Sequence, residues 1–344
     1  MTLLKASPKQ KRKPVSLTPG QVIFGFFCLL CLCLILKSSD VAITYMNQGL
    51  LLCAKTVIPS LFPFMVLSEL IVNGGIGPLL IKPISGPLKR LFGLSDAGCC
   101  AVALGLLCGF PVGAKCTVLS YDRGEISRRE AERALAFSNV PSSAFLINAV
   151  GVSLWGNRRF GVLLYVAVLT TAILTGILLA RLAKNKHAPS TEAISTPMHP
   201  PAVKGAKLFT EAIRSATASI FPVCAYVVFF SALLGTLHPL LSALRLPPAI
   251  HAALFCLFEL SGGMSQSCAL GNIGMAAGLC AFAAGWSGLS VHCQVLSVCD
   301  GRDLSFRTYF LAKIFQGIFC ALFFGILMLL FPDALIPARF VIGI

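Results

Sequence analysis

From Leu260 to Cys299 the chain carries not one Asp, Glu, Lys or Arg. A soluble domain has no use for so long an uncharged run, since every surface turn needs groups that water can solvate. Ser215–Leu237, Phe160–Ala180 and Ile314–Phe331 repeat the pattern, each reaching or approaching the roughly 20 residues that cross a bilayer. The chain as a whole is 56% hydrophobic and 12% charged, about half the charged share of an ordinary soluble protein. The expected fold class is therefore all-α: a polytopic transmembrane helical protein.

The net charge of +15 fits that class better than nucleic-acid binding. Its basic residues fall in short clusters between apolar spans (Lys9 to Lys13, Lys82 to Arg90, Arg123 to Arg133, Arg181 to Arg214), as cytoplasmic loop anchors do. No nucleic-acid partner is expected; the lipid bilayer is. The cysteines, fifteen in number, lie mostly inside apolar spans. "CLLCLC" (Cys28, Cys31, Cys33) has no second Cys or His pair at zinc-site spacing, so the cysteines read as small packing residues, with no metal and no cofactor. The basic N-terminus before Val22–Leu36 resembles a signal peptide, but "KSSD" offers no small-x-small cleavage site. An uncleaved first span with a cytoplasmic N-terminus, in a bacterial plasma membrane, is expected.

Along the chain this gives a basic tail (1–20), a first span and a mixed helix with Asn47, Gln48 and Lys55 (21–57), a membrane repeat (58–182), a polar Pro-rich linker (183–216), a second repeat (217–331) and a tail (332–344). "SRREAERAL" from Ser127, with Glu130 three residues on, has the pattern of a capping box. The repeats rest on ordered matches: "SLFP" at Ser60 returns as "SIFP" at Ser219, and Leu104, Leu107 and Gly113 return as Leu254, Leu257 and Gly263. Ala136-Phe137 and Ser142 match Ala281-Phe282 and Ser287, and "GIL" at Gly176 returns at Gly325. Loops 82–90 and 122–133 carry three and four basic residues, whereas their counterparts carry Arg245 alone and no charge. Equivalent loops then face opposite sides of the membrane and the repeats are inverted, although Arg158-Arg159 would face outward.

Four stretches break the apolar spans: "GFPVGAK", "SNVPSS", "ELSGGMSQ" and "GWSGLSVH". Their Gly109, Pro111, Gly113, Pro141, Gly262, Gly263, Gly285 and Gly288 read as backbone breaks. Backbone groups released in hydrocarbon cost several kcal/mol each, roughly, unless protein or a wet cavity receives them. Half-helix ends can then bind an anion or hydrogen-bonding solute. Substrate-binding candidates are Asn139, Ser142, Ser143, Ser261, Ser265, Gln266, Ser287, Ser290 and Gln294, which suit a small polar solute. Glu69, Lys115 and Glu259 are ionisable groups in or beside apolar segments. Two readings stand for the last pair: Lys115 and Glu259 meet across the pseudo-symmetry axis, or Lys115 snorkels to an interface and Glu259 caps a helix end. His292 is either a proton relay or metal ligand, or a histidine satisfied by hydrogen bonds.

At "GFPVGAK", "LAFSNVPSSAFLINAVG" and "GLSVHCQV" the chain resembles the sporulation integral membrane protein family of endospore-forming Firmicutes, the YlbJ-like proteins, over about residues 40–331. Its halves look like the nucleoside-recognition or Gate domain that also appears in concentrative nucleoside transporters and ferrous-iron transporter membrane domains. The resemblance implies a role in spore formation and a transport activity for a nucleoside-like solute or ion. A non-transporting scaffold for spore cortex or coat assembly is the alternative. Partners would be the solute, a second copy of the chain, or other sporulation membrane proteins. An enzyme is not expected: there is no H-E-x-x-H, no nucleotide-hydrolysis loop, and Ser290 beside His292 is a commonplace pair.

Overall fold

The computed structural model describes residues 18–185 and 205–336, and among them every regular element is helical. The basic tail through position 17, the linker over 186–204 and the end of the C-terminal tail (337–344) lie outside the described residues.

Helix α1 (Pro19–Lys37) starts at a true capping box: Gln21 N–H donates to Thr18 Oγ1 (3.4 Å) and Thr18 N–H to Gln21 Oε1 (2.8 Å). It is apolar on all sides and almost uncovered, which only lipid accommodates. Helix α2 (Ser39–Leu52) continues through a wide π-type turn (Cys53–Val57) into α3 (Ile58–Asn73), forming one 35-residue helix. The boundary read at 57/58 is therefore crossed by continuous helix. Pro59 cannot donate to the carbonyl four residues back, and the wide turn stands where that bond is missing.

Helix α4 (Gly77–Phe92) is basic on one face and apolar on the other, and turns by 96° into α5 (Asp96–Cys108). After α6 (Val112–Asp122) comes α7 (Arg128–Ser138), where the expected capping box forms by half. Ser127 Oγ accepts from Glu130 N–H (3.2 Å), but the Glu130 carboxylate turns away to accept from Ser95 N–H (2.5 Å) and Oγ (2.7 Å) at the start of α5. Ser95 offers two donors where the Ser127 backbone offers one. A wide π-type helix (Phe145–Trp155) leads to α8 (Arg158–Asn185), and beyond the linker come α9 (Ala206–Ala243), α10 (Pro248–Phe258), α11 (Leu260–Cys268), α12 (Ile273–Trp286), α13 (Gly288–Val298) and α14 (Arg307–Leu330). Among the described residues six helices are long and apolar enough to cross a membrane, α12 and α13 together counting as one, and seven if the bent α4–α5 pair is one span. The protein is an integral, multi-pass membrane protein.

Helix is interrupted in all four predicted stretches, and the interruptions are of two kinds. A Cβ placed on Gly105 would lie 2.7 Å from Gly113 Cα; on a continuous helix those residues stand about 12 Å apart. The chain therefore reverses at Gly109-Phe110-Pro111, and α5 and α6 form a hairpin with glycine against glycine. Likewise a Cβ on Gly263 would lie 2.5 Å from Cys256 Cα, so α10 and α11 form a second hairpin with its tip at Glu259. The other two, at 139–142 and at Ser287, interrupt helices without reversing into hairpins. Some glycines assigned to breaks sit elsewhere: Gly113, Gly262, Gly263 and Gly285 are inside α6, α11 and α12. Gly285 lies against the backbone of Gln316 and Gly317 on α14 and serves close helix packing.

Candidate functional site

Each hairpin tip abuts one unwound segment. At the first, Phe110 N–H donates to Val140 O (2.9 Å), and a Cβ on Gly109 (φ 83°) would meet Ser142 N at 2.6 Å. At the second, a Cβ on Gly288 (φ 81°) would meet Leu260 N at 3.0 Å and Glu259 Cα at 3.3 Å. Only glycine combines that backbone conformation with so close an approach. Where the two pairs meet lies a cavity of about 40 Å³ whose walls include Phe110, Ser142, Glu259, Ser261 and Gln294. A larger cavity of about 280 Å³ shares Phe145, Glu259 and Ser261 with it, and reaches Ser265 and Gln266 on α11, Ser231 on α9, and Tyr45 and Gln48 on α2. The contributions of α2 and α9 were not foreseen, although the polar residues of the mixed helix, Gln48 among them, were the available signal.

Glu259 belongs to both cavities. It is 3% exposed, and its carboxylate accepts from Ser261 N–H (3.1 Å) and Gly262 N–H (2.6 Å), capping α11. Those are donors that a helix start leaves free, and the positive end of the helix favours the anion. No Lys, Arg or His forms an ion pair with it among the described residues.

The pairing of Lys115 with Glu259 does not form. Lys115 Nζ stands 2.5 Å from Glu69 Oε1 and donates to Ser215 O (3.1 Å), Ser215 Oγ (2.9 Å) and Ser219 Oγ (2.6 Å). Asn73 donates to the other Glu69 oxygen (2.7 Å), and Arg123 donates in turn to Asn73 Oδ1 (2.5 Å). The reason is rotational: the outgoing arm α6 turns Lys115 towards α3 and α9, away from the tip of the second hairpin. Lys115 lines neither cavity, so this network ties the first hairpin to the α3–α9 wall.

Among the described residues, five buried polar atoms have no hydrogen-bond partner: Ser138 Oγ, Asn139 Oδ1, Ser287 Oγ, His292 Nε2 and Gln294 Oε1. Ser138, Asn139 and Ser287 lie at the two unwound segments, while His292 and Gln294 stand about one and two turns into α13. Each would cost about 1–3 kcal/mol if nothing met it; of the five residues only Gln294 lines either cavity. His292 is wholly buried, its Nδ1 hydrogen-bonded to the Tyr309 hydroxyl (2.9 Å) and its ring edge-on to Trp286. Asn139 donates to Leu135 O (2.9 Å), Ser142 Oγ accepts from Phe145 N–H (3.2 Å), and Gln294 reaches Ser290 only at 3.5 Å. Ser143 hydrogen-bonds Tyr165 and lines neither cavity. Pro141 is buried within its break.

Sequence reasoning missed Lys313. It is wholly buried and donates to the Asn139 carbonyl and to Gln316 Oε1 (3.1 Å), while Gln316 donates to Ala136 O (2.9 Å). The Lys313 side chain thus meets the Asn139 carbonyl released at the C-terminal end of α7, and Gln316 meets that of Ala136. The last apolar span was read from Ile314, one residue past this lysine; a lysine amid "YFLAKIF" was the signal.

No family model matches the chain, and no solved structure matches it. The sporulation integral membrane protein YlbJ of Bacillus subtilis (strain 168) is 26% identical over 315 residues, which is 80% of this chain and 75% of that protein. The chain is thus a multi-pass membrane protein distantly homologous to a sporulation integral membrane protein.

Proposed function

We propose that the protein is a secondary-type transporter of a small polar solute or ion in the membrane of sporulating cells, with its site where the four breaks converge. The observation that carries this reading is Glu259, a carboxylate sealed from solvent yet forming part of two adjoining cavities. Beside it on the smaller cavity stands Gln294, whose amide oxygen is buried without a partner, as a site for a polar solute would supply. The two halves also share one succession: hairpin, interrupted helix, long helix, as α5 to α8 and again as α10 to α14. That supports two repeats, inverted by the charge of their loops and with the N-terminus cytoplasmic, moving against one another around the site. The cargo is a small polar solute, nucleoside-like or an ion, and the protein performs no covalent chemistry on it.

The test is uptake by proteoliposomes of the purified chain, with nucleosides, divalent metals and small carboxylates as the panel. Uptake above protein-free vesicles, abolished by Glu259→Gln at equal reconstitution, is the expected result. Properly folded protein that moves no member of the panel would favour the scaffold reading instead.

A further inference from the structure

Away from the central cavities, a groove of about 330 Å³ opens between α4 and α8, lined by Arg90 and Leu91 on one side and Ile177, Ala180 and Arg181 on the other. Both arginines are exposed, and neither forms an ion pair among the described residues. The carboxylate nearest along the chain, Asp96, is held by Lys89 at 2.7 Å. Two guanidinium groups from distant parts of the sequence therefore share one groove with an apolar floor and no counter-charge.

The surroundings say what kind of molecule fits. Helix α4 is set at 96° to the apolar α5, with basic residues on one face and with Leu79, Leu80 and Ile84 exposed; this is the geometry of a helix lying in a membrane interface. On α8, Leu178 and Leu182 are exposed just where the apolar span gives way to Arg181, as on a surface that meets acyl chains. The groove thus combines a headgroup-level pair of arginines with an apolar wall beneath. Arginine matches phosphate through paired N–H donors, and basic pockets between membrane helices suit anionic headgroups.

We propose that this groove binds one anionic phospholipid, its phosphate between Arg90 and Arg181 and one acyl chain along Leu91, Ile177 and Ala180. Charge complementarity selects an anionic over a zwitterionic lipid, because among the described residues no carboxylate lines the groove to meet a choline or amine. The site is independent of any transport activity.

Native mass spectrometry of the full chain in detergent tests it, with phosphatidylglycerol, phosphatidylcholine and inorganic phosphate added in turn. The wild type should retain phosphatidylglycerol over phosphatidylcholine by on the order of tenfold. Arg90→Gln with Arg181→Gln should bring the ratio close to one. Arg158→Gln with Arg159→Gln, at the other end of α8, removes the same charge and should leave the preference intact. An unchanged preference in the first double variant would overturn the proposal, as would an equal loss in the second. Full displacement of the lipid by millimolar inorganic phosphate would also overturn it, since the site would then belong to the free anion.

Discussion

Glu69 and Glu259 are buried alike, at 5% and 3% exposure, yet one is a strut and the other faces empty space. Glu69 has a lysine at 2.5 Å, a serine and an asparagine, and lines neither of the two central cavities. Glu259 has two backbone N–H groups of its own helix and lies on two cavities. An ionisable group at membrane depth is therefore ambiguous by itself. What separates structure from site is whether its remaining lone pairs meet protein or space.

The comparison breaks most visibly if Lys115 is cut back. Lys115→Ala leaves Glu69 charged and buried, and should destabilise the protein by about 3–5 kcal/mol, whereas Lys115→Met with Glu69→Leu should recover most of it. Chemical unfolding in detergent, run as a double-mutant cycle, reads the difference. Lys313→Met comes next: it strands the Asn139 carbonyl and the Gln316 amide oxygen, and should cost about 1–3 kcal/mol in the same assay. Glu259→Gln keeps one oxygen acceptor for the start of α11, so its stability cost should stay near 1 kcal/mol while uptake is lost. Gln48→Leu, on the wall of the larger cavity, should be neutral in stability to within about 0.5 kcal/mol. Its effect should appear in the apparent affinity for the solute, by up to about tenfold for one lost hydrogen bond.

Much of this was legible in the sequence because it depends on local chemistry. Uncharged runs dictate spans, and Gly109, Pro111, Pro141 and Gly288 do fall at interruptions, although Pro63, Pro83, Pro87, Pro222 and Pro239 sit inside helices that continue through them. The Glu259 cap was one of the two readings the sequence left open, beside a pairing with Lys115 that does not form. What was not legible depends on rotation and reversal. Nothing local says that α5–α6 folds back as a hairpin, so nothing says that Lys115 turns to α3 and α9. Gly285 looked like a break because glycine marks both unwound backbone and helices in close contact, and only the proximity of Gln316 and Gly317 tells which. Lys313 was hidden at the edge of an apolar run, where lysines also reach out to the interface.

The most direct measurement is solute counterflow in proteoliposomes of three matched proteins: wild type, Glu259→Gln, and the Lys115→Met/Glu69→Leu pair. Exchange should persist in the wild type and in the paired variant and vanish in Glu259→Gln. Exchange that survives Glu259→Gln but dies with the Lys115–Glu69 pair would contradict the assignment and move the site to the wall of the first hairpin.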